Sequence, residues 1–326
     1  THTNAELTAE AVRGLQPYAG FTPEDIECLC CGTSSPDLLM PGHGLMVHGE
    51  LATGPCEVMS TAGICLSGIT ALKYAFMNIA LGLSDNAVAS GSELASSFLR
   101  GKFCQPVDPA KAEQLESAPI LGFDEDFLRW MLSDGAGAAY MTGKPSPGRL
   151  ALRIEWLEHL SHAGTLQTCM YAGGVQEESG RLKGWRTFAT PGEAFREKAL
   201  LVKQDVKLLN QEIVVTAVER TLPQVIAKHG LAADEIDWFL PHYSSEFFSK
   251  PLHQHMQQLG FDLPLDRWFT NLPHKGNTGS ASIYIILEEL FHSGRLQPGD
   301  KILCFIPESG RFSMCYMLLT AVQPSP

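Results

Sequence analysis

The chain carries the sequence STAGICLSG at residues 60–68, in which small residues surround a single cysteine, Cys65. An apolar run with three- and four-residue spacing follows as far as Gly82, which predicts a buried helix that begins at the cysteine. The first turn of a helix has unpaired N–H groups and a positive field that favours thiolate, the nucleophilic form of cysteine. Cys65 is therefore a candidate nucleophile, although a small core cysteine would give the same local pattern.

Composition limits the class of protein. The 326 residues and 44% hydrophobic content suffice for a full core, and no apolar run reaches the roughly 18–20 residues of a membrane span. The net charge of −12 argues against nucleic-acid or anionic-membrane partners, because both need basic patches. Nine scattered cysteines, an odd number, predict reduced thiols and a cytoplasmic location.

No metal site is expected. Cys28, Cys30 and Cys31 have a superficially metal-like spacing, but they fall in a predicted buried strand, Asp25–Gly32, and no second pair stands at ligand distance. An amphipathic helix over Asn4–Tyr18, with Asn4 as its N-cap, precedes that strand.

An internal repeat is the most informative feature of the chain. The segment GFTPEDIE at 20–27 matches GLAADEID at 230–237, an offset of 210 residues at which Gly32 falls on His242. Leu81-Gly82 matches Ser293-Gly294 at an offset of 212, which places Asn277 opposite Cys65. Because helices and strands alternate along the chain, the repeat predicts two similar α/β halves related by an approximate twofold axis.

The repeat places three candidate residues in one region. Cys65 and Asn277 would occupy equivalent helix starts, and His242 would end the strand equivalent to the one before Gly32. Sites in α/β sheets form beyond the carboxyl ends of strands, where a nucleophile, an imidazole and an amide could converge. Each alone has a plainer interpretation, since His242 could be a core histidine and Asn277 could cap a helix. Together they favour a catalytic site.

These residues resemble those of the thiolase-fold condensing enzymes, and most closely the ketoacyl-acyl-carrier-protein synthase III group. Besides the Cys65 segment, the matching stretches run in family order over nearly the whole chain: ASGSE at 89–93, SDGAGA at 133–138, LPH at 240–242 and GNTGSAS at 276–282. The combination of Cys, Pro-His and Gly-Asn-Thr is specific for this group. Other condensing-enzyme branches use two histidines or a second cysteine.

The resemblance implies an α/β, thiolase-like fold of two duplicated halves in a layered α-β-α-β-α arrangement. The first half would be residues 1–145, with the nucleophile; the second would be residues 146–326, with His and Asn and an irregular insertion near 160–190. The family has a further N-terminal segment that supplies a central strand, so the first half is expected to lack its first strand. A long inserted loop is predicted at Gly101–Phe123.

The resemblance also implies a role for each site residue. Cys65 would accept an acyl group from a coenzyme A or acyl-carrier-protein thioester, and a malonyl thioester would then lose carbon dioxide. His242 and Asn277 would donate hydrogen bonds to the developing enolate, and backbone N–H groups at Cys65 and near Gly310 would hold the tetrahedral oxyanion. Arg311 stands where the family has a glycine that gives its N–H, so its side chain is expected to reshape the acyl pocket.

The expected protein is thus a cytoplasmic acyltransferase of fatty-acid or specialised metabolism that forms homodimers and has no permanently bound cofactor. Arg181, Lys183 and Arg186 are candidates for docking an acidic carrier protein, as are Arg100 and Lys102. Two alternatives stay open: acyl transfer to an alcohol or amine on the same fold, and a non-catalytic partner subunit of a heteromeric synthase. A papain-like hydrolase is disfavoured, because the signature of that family is missing around Cys65 and the duplication has no place in its fold.

Overall fold

The computed structural model describes residues 2–99, 128 and 131–325. The predicted loop at Gly101–Phe123 and the candidate docking residues Arg100 and Lys102 lie outside these residues. The strands are β1 Cys28–Thr33, β2 Glu57–Ala62, β3 Asn86–Glu93, β4 Gly135–Thr142, β5 Ala151–Ser161, β6 Met170–Tyr171, β7 Gly174–Gln176, β8 Leu182–Gly184, β9 Lys203–Gln204, β10 Trp238–Pro241, β11 Lys301–Glu308 and β12 Ser313–Val322.

The α-helices are α1 Asn4–Arg13, α2 Gln16–Ala19, α3 His43–Leu51, α4 Leu66–Ala80, α5 Pro191–Arg196, α6 Val206–Val214, α7 Leu222–His229, α8 Ser249–Gln258, α9 Leu272–Lys275 and α10 Ser282–His292. A π-helical segment, Val215–Thr221, joins α6 to α7, and a 3-10 turn, Gly279–Ala281, leads into α10. The region predicted to be an irregular insertion contains the short strands β6, β7 and β8, of which β7 pairs antiparallel with β8 and β6 pairs antiparallel with β9 beyond the region.

In the described residues, two four-stranded sheets, ordered β2-β1-β3-β4 and β10-β11-β12-β5, form the framework. In the first sheet β1 is parallel to β2 and β3, and β3 is antiparallel to β4. In the second sheet β10 is parallel to β11, and β11 is antiparallel to β12. A parallel bridge between Phe239 and Trp268 takes the position that β2 has in the first sheet. The two sheets therefore repeat one pairing pattern, as the sequence repeat predicts.

The sheets differ at one edge. β5 pairs antiparallel with β12, whereas the described residues give β4 a single partner, β3. We propose that the boundary between the two halves lies in the connection from β4 to β5, near residue 145.

Three clusters of buried side chains set the order of the layers. Helices α1 and α3 cover the outer face of the first sheet, α4 and α10 lie between the sheets, and α6, α7 and α8 cover the outer face of the second. Neighbouring side chains of a strand point to opposite faces, so β1 sends Cys28 and Cys30 to the middle cluster and Leu29 and Cys31 to the outer one. The resulting α-β-α-β-α order confirms the predicted fold class.

The start of α1 differs from its prediction. Thr3, not Asn4, is the N-cap, and it forms a reciprocal capping box with Glu6. The buried Asn4 side chain donates instead to Thr33 Oγ1 and to the carbonyl of Ser35, both at 2.9 Å. It thus ties α1 to the end of β1.

The two halves approach each other most closely where no side chain fits. A Cβ atom on Gly68 of α4 would lie 2.3 Å from the carbonyl oxygen of Ser280, and one on Gly91 of β3 would lie 2.1 Å from the same atom. The Tyr284 hydroxyl donates to the carbonyl of Gly68 at 2.8 Å. Glycine at these positions lets the start of α4 rest directly on the start of the second half's central helix.

We expect Gly91→Ala to lower the free energy of unfolding by about 3 kcal/mol or more, because the added methyl meets a backbone oxygen that cannot move aside alone. Gly49→Ala is the matched control, since a Cβ atom at this position in α3 meets nothing within 4 Å. That change should stabilise the protein by ~0.5–1 kcal/mol. Urea unfolding of both variants tests this, and equal midpoints would contradict the close approach.

Candidate active site

Cys65 lies between the first sheet and its central helix. β2 ends at Ala62, and Cys65 is the N-cap residue of α4. The residue is half-buried, and it lines a cavity with an empty volume of about 480 Å³, part of which is open to solvent. The sequence prediction of a helix that begins at this cysteine is confirmed.

The wall of the cavity is mostly apolar and comes from the outer helices of the second half, the turn before α8 and strand β11. Its apolar residues are Leu209, Ile213, Val214, Ala217, Phe248, Leu252, Phe305 and Pro307. The polar groups, apart from Cys65 itself, are His242, Tyr243, Ser244 and Ser309. Such a cavity suits a ligand with an apolar chain and a reactive polar end.

His242 directly follows β10 and reaches the same cavity as Cys65. Its backbone N–H donates to the Phe305 carbonyl at 2.8 Å, which continues the pairing of β10 with β11 past the strand end. Burial lowers the pKa of His242 to about 4, because the charged imidazolium would lose its hydration. At neutral pH the ring is therefore uncharged and offers one N–H donor.

Asn277 is buried just before the 3-10 turn that leads into α10. Its Oδ1 accepts from the N–H of Gly279 at 3.1 Å, and this bond leaves the Nδ2 group as the donating end of the amide. Its carbonyl accepts from the N–H of Ser133 at 2.8 Å. A second, smaller cavity is lined by His242 and by Gly276, the residue before Asn277, while Asn277 itself lines neither this cavity nor that of Cys65.

Gly310 and Arg311 lie in the turn between β11 and β12 and differ in their surroundings. Gly310 is buried, and a Cβ atom on it would lie 2.8 Å from the Ile64 side chain, directly before Cys65 in the chain. Arg311 is exposed, its Nε donates to the Leu166 carbonyl at 3.2 Å, and it does not line the cavity. The Arg311 side chain therefore does not line this cavity, although it was expected to reshape the acyl pocket.

A carboxylate that the sequence did not point to lies at the start of α4. Glu308 Oε2 accepts hydrogen bonds from the backbone N–H groups of Ile64 and Leu66, both at 2.9 Å, on either side of Cys65. Burial, then the charges of Glu308 and Glu93, raise the pKa of the Cys65 thiol well above its ordinary value. The expectation that the helix field would favour the thiolate is thus wrong for this site, because burial first, and then the carboxylate of Glu308, oppose the charged form.

Glu93 of the first half contacts the helix start of the second half, just as Glu308 of the second half contacts that of the first. The register of β3 on β1 and of β11 on β10 makes Glu93 and Glu308 equivalent residues. Glu93 accepts from the N–H of Ser280 at 3.3 Å and from the hydroxyls of Ser34 and Ser35 at 2.6 and 2.8 Å. Each half therefore ends a strand in a glutamate that binds the helix start of the other half.

The three clustered cysteines of β1 do not converge. Cys28 and Cys30 are buried side by side with their Sγ atoms 3.5 Å apart, while Cys31 lies on the opposite face of the strand. In the described part of the chain there is no group of three or more potential metal ligands. Within the same residues, no helix is long and apolar enough to cross a bilayer.

The chain is similar to known condensing enzymes along most of its length. A family model described as 3-oxoacyl-[acyl-carrier-protein (ACP)] synthase III C terminal matches residues 226–310, which include His242 and Asn277. The β-ketoacyl-[acyl-carrier-protein] synthase III of Rhizorhabdus wittichii is 25% identical over 305 residues, which cover 92% of this chain and 79% of that protein. The enzyme of the same name from Methylococcus capsulatus is 22% identical over 301 residues, with the same coverage.

Solved structures agree in fold. The 3-oxoacyl-(acyl carrier protein) synthase III of Xanthomonas oryzae pv. oryzae superposes with a TM-score of 0.74 at 22% identity, covering 98% of this chain and 82% of that one. OleA of Xanthomonas campestris gives a TM-score of 0.76 at 21% identity, with the same two coverages. The chain has the thiolase fold, as predicted. It resembles the ketoacyl-acyl-carrier-protein synthase III condensing enzymes.

The lowered pKa of His242 makes a prediction for acid stability. Below pH 6.5 the unfolded chain binds a proton at this ring before the native protein does, so stability contributed at neutral pH is lost as the pH falls toward 4. Relative to His242→Gln, the native protein should lose about 2 kcal/mol more between pH 7.5 and pH 5. Urea unfolding at both pH values measures this difference. Parallel pH dependences of the two proteins would contradict it.

Proposed function

We propose that the chain is a β-ketoacyl synthase III-like condensing enzyme that loads an acyl group on Cys65 and condenses it with a malonyl thioester. The observation that carries the proposal is the apolar cavity that Cys65 shares with a neutral His242, which also lines a second cavity with Gly276, the neighbour of Asn277. The resemblance to named synthases over 92% of the chain supports it.

In the first half-reaction, Cys65 Sγ attacks the carbonyl carbon of an acyl thioester. The new Sγ–C bond forms, the C–S bond of the donor breaks, and the thiol proton leaves with the donor thiol. The apolar wall of the cavity supports an acyl donor with an apolar chain. The enzyme is in this sense an acyltransferase.

In the second half-reaction, a malonyl thioester loses carbon dioxide and its thioester oxygen gains charge as an enolate. Uncharged donors, the N–H of His242 and the Nδ2 group of Asn277, stabilise that charge, whereas carboxylates in the same places would oppose it. The carbanion attacks the acyl carbon, a C–C bond forms, and the Sγ–C bond breaks. Cys65 leaves as a thiolate and takes a proton from water, and a β-ketoacyl thioester is released.

The tetrahedral oxyanion of each half-reaction needs backbone donors. Glu308 engages the N–H groups of Ile64 and Leu66, and the N–H of Cys65 between them is the donor assigned to the oxyanion. Gly310 packs against Ile64, directly before Cys65 in the chain. This position supports the backbone N–H groups of Gly310 and Arg311 as the second donor.

The substrates in this proposal are thioesters of coenzyme A or of acyl-carrier protein, and no cofactor is permanently bound. The relatives are named for acyl-carrier protein, which supports a carrier as one partner. Arg181, Lys183 and Arg186 lie on or next to β8, where Lys183 and Arg186 also stack over the rings of Phe188 and Trp185. We also propose a cytoplasmic location, supported by the eight free cysteines of the described residues.

The expected loading behaviour separates the roles of the site residues. Cys65→Ala should form no acyl adduct, while His242→Ala and Asn277→Ala should form it and then fail to release carbon dioxide from malonyl thioester. Intact mass after incubation with a panel of acyl-CoA and acyl-carrier thioesters measures loading, and carbon dioxide release measures condensation. An adduct that malonyl thioester leaves in place but an alcohol or amine removes would make the protein an acyltransferase to those acceptors. Equal loss of loading in all three variants would contradict the division of roles.

A homodimer is the second part of the proposal. Among the residues that the structure describes, β2 lies at an edge of its sheet, and exposed apolar side chains precede the helix that contacts it: Leu39 and Met40 are 77% and 73% exposed. They precede α3, whose Gly44 N–H donates to Ser60 Oγ of β2 at 2.8 Å. An open strand edge flanked by exposed apolar residues suits pairing with the same surface of a second copy.

We expect light scattering to give twice the chain mass of 35.5 kDa. Leu39→Asp should weaken the dimer, because it would bury a charge in the interface. Leu83→Asp is the control, since Leu83 is 70% exposed beyond the far end of α4. A monomer at micromolar concentration, or equal effects of the two changes, would contradict this interface.

A further inference from the structure

We propose that Glu308 is a positioning residue that keeps the Cys65 side chain in its protonated thiol form in the enzyme without substrate. The proposal rests on the proposed function only in treating Cys65 as the nucleophile. Its test uses a chemical reaction of Cys65 that needs no acyl donor.

The carboxylate is held in one place by backbone atoms. Oε2 accepts from the N–H groups of Ile64 and Leu66 at 2.9 Å each, so it lies beside the backbone of Cys65. Two glycines lie beside the carboxylate: a Cβ atom on Gly63 would lie 3.4 Å from Oε2, and one on Gly310 would lie 3.4 Å from Oε1. The side chain is therefore fitted to the start of α4 and does not merely pass near it.

The charge at this position reverses the usual effect of a helix start. The N-terminus of a helix acts as about half a positive charge, which stabilises a thiolate placed there. Glu308 brings a full negative charge to the same N–H groups. A thiolate on Cys65 would therefore face a net negative field.

The other titratable groups around Cys65 do not cancel this charge. Glu93 at the end of β3 is also a carboxyl group, and His242 across the cavity is uncharged at neutral pH. The first basic residue along α4 is Lys73, about two helical turns beyond Cys65. Glu308 is thus the carboxylate that contacts the backbone on both sides of Cys65, and the isosteric change to glutamine removes its charge.

The thiol form has a chemical consequence. Alkylating agents and peroxides react with the thiolate and only slowly with the thiol. The free enzyme should accordingly react slowly with both at neutral pH, although its cysteine stands at a helix start and on an open cavity.

The test is the pH dependence of iodoacetamide alkylation, measured for the Cys65 peptide by mass spectrometry between pH 6 and pH 10. Glu308→Gln keeps an oxygen that can accept from both N–H groups and removes the charge. We expect it to move the profile by about one unit to lower pH and to raise the rate at pH 7.5 about tenfold. Glu235→Gln removes an exposed carboxylate paired with Lys301, and it should leave the profile of Cys65 unchanged.

An unchanged profile in Glu308→Gln, with a native melting temperature, would overturn the proposal. A slower reaction would also overturn it, because the carboxylate would then act as a base that helps to form the thiolate. If Glu308→Gln does not fold, Glu308→Ala gives the second test, since any neutral residue should shift the profile the same way. A shifted profile in a protein that no acyl donor loads would uphold this inference and reject the proposed function.

Discussion

Each half contributes a glutamate that accepts hydrogen bonds from the backbone at the helix start of the other half, and the rest of the structure depends on these two contacts. Glu93 ends β3 and binds the helix start of the second half, and Glu308 ends β11 and binds the helix start of the first. The Glu93 contact is to Ser280, whose carbonyl is the atom that the glycines of α4 and β3 allow the backbone to approach. The N-terminal starts of the central helices α4 and α10 are thereby held against each other, and the residues at these starts lie where the two halves meet.

The same exchange makes the two helix starts chemically different. In the second half the glutamate binds near an amide, Asn277, which carries no charge in any step of the proposed reaction. In the first half it binds beside a thiol whose reactivity depends on its charge. An arrangement that is symmetric in the backbone therefore gives an asymmetric site, with electrostatic consequences at Cys65 alone.

Much of this architecture can be predicted from the sequence, because it follows from periodicity and repetition. The 210-residue offset identified β1 and β10 as equivalent strands of the two halves. The apolar spacing after Cys65 predicted α4 correctly. The position of Glu308 could not be predicted in the same way, because its contacts join residues more than 240 positions apart through backbone N–H groups that leave no mark on the sequence. The direction of the Arg311 side chain depended on the conformation of a four-residue turn, which residue types alone do not fix. The cap at Thr3 was missed because Asn4 is an equally good capping residue, and only its buried partners draw it elsewhere.

The cavity has a further consequence for how such a protein can diverge. Its nucleophile belongs to the first half, while its apolar wall belongs to the second: α6, the π-helical segment, α8 with the turn before it, and β11. Within that wall, the wide turn at Ala217 is held from outside the cavity by the hydroxyl of Tyr316, which donates to the Ala217 carbonyl at 3.1 Å. Side chains of the wall can therefore change in size while the reacting groups stay in position. Selection for a different chain length would act on one half of the gene, and selection for a different chemistry on the residues where the halves meet.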